Sequence, residues 1–262
     1  MEILKGELTE RFFDLVSSSK EKIRLCAPYV KTDVVKNVNK NKKEKVKIEI
    51  ISNFNLANFY RKSSDIGAFK EIIQSKGKVY NNQSLHAKIY IFDDNYSIIT
   101  SANLTTSGFK RNVEYGVFIK EKNLVAETIN DFNLICHSDN TGKISFKDIN
   151  SIEEILNCLP PINDMGYFNI NDELNTKLEV DFKKITKELS PWKSLTLEVI
   201  NSIEQNEFSL TDIYKKEEIF KLTYPNNNTI RDSIRRNLQE LRDLGLIRFL
   251  GNGKYEKIIG IK

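Results

Sequence analysis

Two periods of apolar residues alternate along the first half of the chain. In LTERFFDLVSSS (8–19), KTDVVKNVNKN (31–41) and DIGAFKEIIQSKG (65–77) the apolar positions recur every three or four residues, which predicts amphipathic helices, the last closed by Gly77. In KIRLCAPYV (22–30) and KVKIEIIS (45–52) the pattern predicts strands, followed by KVYN (78–81), HAKIYIFD (86–93), YSIITSA (96–102) and EYGVFIK (114–120). VAETINDFNLICHS (125–138) reads as a closing helix. A β-α-β-α order running into further strands predicts an α/β domain.

The pattern then weakens. SIEEILNCL (151–159) predicts a helix ending at Pro160-Pro161, INDMGYFNIND (162–172) a loop, and ELNTKLEVDFKKITKEL (173–189) a charged helix. Periodicity returns in LTLEVINSIEQ (195–205) and in FSLTDIYKKEEIFKL (208–222), read as one helix capped by Ser209 or Thr211. After YPNNN, a stripe of Ile230, Ile234, Leu238 and Leu241 marks a third helix. LIRFLGNGKYEKI (246–258) reads strand, Gly-Asn-Gly turn, strand. Three helices and a hairpin are the order of a winged helix. The chain thus divides into an α/β domain (1–150), a helical connector (151–190) and a winged-helix domain (191–262).

Charge and composition sharpen the picture only a little. The chain has 262 residues and a formal net charge of +4, with lysines clustered from Lys36 to Lys47 and arginines from Arg231 to Arg242. Two basic patches suit a polyanionic partner. Three scattered cysteines, Cys26, Cys136 and Cys158, lack metal-ligand spacing and suit a reducing compartment, so a cytoplasmic location is expected. No stretch has the uninterrupted apolar length of a membrane span, and no membrane partner is expected.

The chemistry concentrates in Ser84–Glu114. Period-two alternation places His86, Lys88 and Tyr90 on one face of a strand, and Ser101 and Asn103 on a common face of the next. An imidazole, an ammonium, a hydroxyl and a carboxamide gathered at strand ends are costly for a core and suit a phosphate. Asp93 opens Asp93-Asp94-Asn95, which also reads as a plain hairpin turn.

His86-x-Lys88, four residues, Asp93, then Thr100-Ser101-x-Asn103, with Glu114 downstream, resembles the HKD signature of the phospholipase D superfamily, H-x-K-x4-D-x6-G-S-x-N, in its bacterial endonuclease members. Thr100 stands where that signature has glycine. The resemblance implies a phospholipase D-like mixed sheet flanked by helices and phosphodiester cleavage without metal or other cofactor. His86 would attack phosphorus to form a phosphohistidine, and Lys88 and Asn103 would hold the nonbridging oxygens. Ser101 would add a hydrogen bond, and Glu114 would accept the proton on the other imidazole nitrogen. One motif per chain implies a homodimer whose two copies of His86 share one site. His137, the only other histidine, lacks a lysine two residues on.

In the third C-terminal helix the inward stripe leaves Asn228, Asp232, Arg235, Arg236 and Gln239 on the opposite side, with Arg231 and Arg242 flanking and Asn226 and Asn227 at the helix start. Such side chains read base edges and neutralise phosphates. Lys254 and Lys257 on the hairpin would touch the DNA backbone. The segment Leu195–Lys257 also resembles the winged helix of certain restriction endonucleases, including adenine-methyl-directed ones. The expectation is therefore a type II restriction enzyme acting on double-stranded DNA. The alternatives are a winged-helix transcriptional regulator with a ligand-sensing phospholipase D-like domain, a lipid phosphodiesterase, and a metal-dependent nuclease, the last disfavoured by the lack of a suitably placed Glu-x-Lys strand.

Overall fold

The computed structural model describes residues 1–5, 8–159, 178–180 and 182–261. It divides into two compact units, 1–54 with 62–149, and 150–262 with the short segment 55–61.

In the first unit, strands β2 (Lys22–Cys26), β3 (Lys47–Ser52) and β4 (Lys78–Asn82) run parallel. Helices α2 (Thr32–Asn41) and α4 (Ile66–Gln74) provide the crossovers between them. The chain then turns to short hairpins, and β5 (Ile89–Phe92), β6 (Tyr96–Thr100) and β7 (Tyr115–Ile119) pair antiparallel. With β1 (Glu2–Lys5) and β8 (Thr141–Ile144) at its edges, the sheet has eight strands in the order β1-β7-β6-β5-β2-β3-β4-β8.

Helices cover both faces. Helix α1 (Leu8–Ser18) buries Leu8, Phe12, Leu15 and Val16, and the Phe12 ring meets Tyr90 and Phe92 edge-on with centroids 5.2 and 5.5 Å apart. Ile91, between those two residues, points the other way and packs with Cys26, Ile51 and Leu85 against Phe132 of α6 (Lys122–Cys136).

Several elements depart from the sequence reading. The strand predicted from His86 begins only at Ile89. The helix over 65–77 is closed by Lys76, whose φ is +62°, and not by Gly77. Gly77 is needed for close approach instead, because a Cβ there would lie 2.7 Å from the Ile48 carbonyl oxygen. Strands β1 and β8 and the short helix α3 (Leu56–Tyr60) have no counterpart in that reading, being too short to show a period.

In the second unit, α9 (Pro191–Asn201), β10 (Glu207–Ser209), α10 (Leu210–Tyr214), α11 (Glu217–Thr223), α12 (Ile230–Asp243), β11 (Ile247–Gly251) and β12 (Lys254–Lys257) form a winged helix. Its three-stranded sheet has the order β10-β12-β11. The segment read as one helix over 208–222 is two, α10 and α11. Ser209 opens α10 with a capping box, its hydroxyl accepting from the Asp212 N–H while Asp212 accepts from the Ser209 N–H. The wing turns through Asn252 and Gly253, with φ of +49° and +70°, as a two-residue hairpin requires. Trp192, Tyr224 and Phe220 stack in one column, Trp192 lying 4.2 Å from the Tyr224 ring. Helix α7 (Phe146–Asn157) follows β8.

Within the stretch read as a continuous charged helix (173–189), β9 (Leu178–Val180) pairs in parallel with β13 (Ile259–Ile261), and only α8 (Phe182–Lys187) is helical. The loop expected at 162–172 lies outside the described residues. Among the described residues no helix is long and apolar enough to cross a membrane.

Candidate active site and nucleic-acid-facing helix

The register of β2, β5, β6 and β7 brings the signature residues to one end of the sheet. Ile89 pairs with both Cys26 and Ile99, and Thr100 pairs with Gly116, so the residues just before β5, just after β6 and just before β7 are neighbours. Those residues are His86 and Lys88, Ser101 and Asn103, and Glu114. The ladder extends one step past the strands, the Thr100 N–H donating to the Lys88 carbonyl at 3.1 Å and the Ser101 N–H to the Tyr115 carbonyl at 2.9 Å. The β2–α2 loop reaches the same end, where Val30 bridges Leu104.

His86 is exposed and Lys88 buried. Lys88 Nζ donates to the His86 carbonyl at 2.7 Å and lies 3.5 Å from His86 Nδ1. Burial lowers the Lys88 pKa below its usual value, and the Glu114 carboxylate opposes that shift. The Glu114 charge thus favours the ammonium that burial disfavours.

Glu114 is held from both sides. The Ser101 hydroxyl donates to Oε2, and Asn112 Nδ2 donates to Oε1 at 3.0 Å. The Ser101 hydroxyl in turn accepts the Tyr115 N–H at 3.0 Å. The expected hydrogen bond from His86 to Glu114 is not formed among the described residues; Ser101 takes that place. Asn103 Oδ1 is buried with no hydrogen-bond partner, so no internal bond fixes that end of the amide.

Tyr90 packs beneath the site and does not line it. It is fully buried against Phe12, and its hydroxyl donates to the Ala102 carbonyl at 2.8 Å, between Ser101 and Asn103. Thr100, standing where the signature has glycine, fits because Gly116 lies directly opposite; a Cβ at Gly116 would come within 3.1 Å of the Thr100 side chain. Asp93 is structural, its carboxylate accepting the N–H groups of Lys20, Glu21 and Lys22. His137 caps α6 with Nδ1 2.7 Å from the Asn133 carbonyl oxygen. Cys26 is buried at the end of β2, and burial pushes its thiol up to about 12, so it stays protonated.

On α12, Arg231, Asp232, Arg235, Arg236 and Gln239 are exposed, as the inward stripe requires, while Arg242 is buried and paired with Asp243. Two of the exposed arginines have partners: Arg231 bonds Glu217 at 2.8 Å and lies 4.8 Å over the Tyr214 ring, and Arg235 lies 3.5 Å from Asp232. Asn227 turns inward, donating to Ser233 Oγ at 2.9 Å and accepting the Thr229 N–H at 2.8 Å, whereas Asn228 and Lys254 are exposed. The inward turn of Asn227 cannot be read from spacing, since all three asparagines precede the helix.

Residues 12–136 match the family described as "Cardiolipin synthase, PLD-like domain", and residues 188–257 match the "Dam-replacing HTH domain". The chain therefore joins a phospholipase D-like domain to a C-terminal helix-turn-helix domain of the Dam-replacing type. Among solved structures it is similar to a phospholipase D family member, Nuc from Salmonella typhimurium, with 20% identity, a TM-score of 0.47, and coverage of 55% of this chain and 96% of that one. It is also similar to NucT from Helicobacter pylori, with 17% identity, a TM-score of 0.45, and coverage of 55% and 98%.

Proposed function

We propose that the protein is a cytoplasmic, metal-independent, sequence-specific DNA endonuclease of the type II restriction class, acting as a homodimer. The observation that carries this reading is the convergence of His86, Lys88, Ser101, Asn103 and Glu114 at one sheet end in a chain that also has a Dam-replacing helix-turn-helix domain. The domain division at about residues 150 and 190 separates cutting from DNA selection, the latter assigned to Asn228, Arg231, Asp232, Arg235, Arg236, Gln239 and Lys254, while the inward-turned Asn227 shapes the start of α12.

In the first step an imidazole nitrogen of His86 attacks phosphorus, an N–P bond forms, and the P–O bond to the leaving strand breaks. Lys88 and the Asn103 amide stabilise the charge on the nonbridging oxygens. The leaving alkoxide takes its proton from His86 of the partner subunit. That imidazole, now neutral, removes a proton from water, which attacks phosphorus and frees the first histidine. Glu114 changes partners during this cycle, turning from Ser101 to the imidazolium, which releases the Ser101 hydroxyl toward the phosphate.

The test is digestion of adenine-methylated and unmethylated plasmid in EDTA. Discrete fragments from either plasmid support the reading, and the plasmid that is cut gives the methylation preference. Specific binding without cutting under any condition favours a regulator instead. Mixing wild-type and His86→Ala protein in equal amounts, with exchange of subunits, should give about a quarter of the activity of the same total amount of wild-type protein if both copies of His86 are needed in a two-fold dimer.

A further inference from the structure

Between Phe109 and Glu114 four residues, Lys110, Arg111, Asn112 and Val113, are all exposed, and Val113 is fully so at 104%. They link α5 (Thr106–Lys110) to β7 and stand at the sheet end that carries His86. Both ends of this segment are anchored. Phe109 is buried with its ring 4.7 Å from Phe12, and the N–H groups of Arg111 and Asn112 both donate to the Ser107 carbonyl, at 3.0 and 2.9 Å. At the other end Asn112 holds Glu114.

Several other cations of this unit are neutralised by acids. Arg24 pairs with Asp94, Lys22 and Lys78 with Glu49, Lys31 with Asp65, and Lys36 with Glu71. Lys110 and Arg111 have no carboxylate partner among the described residues. Two unpaired cations on an anchored turn beside a catalytic carboxylate have a physical use, because Glu114 repels a polyanion and cations flanking it offset that repulsion. Lys5, in register with Tyr115, adds a third positive charge at this edge.

We propose that the Lys110–Val113 turn binds the DNA backbone, with Lys110 and Arg111 neutralising phosphates flanking the scissile one and Val113 packing against sugar or base. This deepens the endonuclease reading and rests on it. The segment gives affinity without sequence preference, which separates its role from that of α12.

The lysines from Lys43 to Lys47 serve as the internal control. Lys47 pairs with Lys22 at the start of β3, at the sheet end opposite His86. Lys43 and Lys45 are exposed on the loop before it.

The experiment measures dissociation constants for a DNA duplex against salt concentration, using the full chain with His86→Ala so that the duplex is not consumed. Adding Lys110→Ala with Arg111→Ala should flatten the log–log salt slope by about 1.8, roughly 0.9 for each phosphate that is no longer neutralised. It should weaken specific and non-specific duplexes by the same factor. Lys43→Ala with Lys45→Ala should leave the slope unchanged. An unaltered slope in the Lys110/Arg111 variant, or an equal change in the Lys43/Lys45 variant, overturns the loop assignment while leaving the endonuclease reading intact. Failure of the full chain to bind any duplex overturns both.

Discussion

The Tyr90 hydroxyl donates to the carbonyl of Ala102, so a residue in the middle of the core holds the turn that presents Ser101 and Asn103. A phenylalanine would fill the same space. What the hydroxyl adds is a partner for a buried carbonyl, whose loss costs about 1–3 kcal/mol. Tyr90→Phe should therefore lower kcat by roughly 10- to 100-fold, the penalty of a small misplacement of a reacting group. KM should change little, and the protein should remain folded by circular dichroism. An unchanged kcat would make the hydroxyl purely structural.

Gly108 sits against the backbone of Asn103. A Cβ there would come 2.5 Å from the Asn103 carbonyl oxygen and 3.1 Å from its nitrogen. Alanine favours a helix over glycine by about 1 kcal/mol, but the added Cβ would also crowd the Thr105 hydroxyl that caps α5, at 3.3 Å, so Gly108→Ala should lower stability as well as displace Asn103. The expected outcome is loss of cutting, on the order of 100-fold, with DNA affinity retained, because Asn103 is displaced. Steady-state kinetics and a binding isotherm on the same preparation check this.

The alkaline limit of activity should depend on Glu114. Lys88 must be protonated to hold the phosphate, so activity falls as pH rises through its pKa. Burial lowers that pKa and the Glu114 charge opposes the lowering. In Glu114→Gln the opposition is gone, the pKa drops further, and the basic limb of the residual rate should move to lower pH. A basic limb that stays in place or moves upward would show that Lys88 does not set it.

Asp93 should matter to stability and not to chemistry. Its carboxylate accepts three consecutive backbone N–H groups, tying the β5–β6 turn to the start of β2. Asp93→Ala should cost about 2 kcal/mol in urea unfolding, the scale of hydrogen bonds to a charged acceptor. Cutting per folded molecule should be unchanged.

These residues also show where the sequence is legible. His86, Lys88, Ser101, Asn103 and Glu114 stand at spacings that strand alternation and a known signature can read, and the sheet register brings them to one end. Period two groups Tyr90 with His86, yet the regular strand starts only at Ile89 and the Tyr90 side chain enters the core. Gly108 and Asn112 carry no pattern, since a close approach and a two-residue side-chain bond exist only once the chain is folded. Strands β1 and β8, at four residues each, are defined by their partners in the sheet and not by their own periodicity. The strand inside 173–189 likewise depends on pairing with Ile259–Ile261, some 80 residues away.

The most direct test of the account is capture of the covalent intermediate. Rapid mixing with a cleavable duplex in EDTA, quenching at alkaline pH and intact-mass analysis should show the chain carrying one DNA strand, with the adduct mapped to the peptide containing His86 and lost on acid treatment. The same adduct must be missing from His86→Ala. Cleavage that proceeds with no adduct on His86 and stops in EDTA until a divalent metal is restored would contradict it.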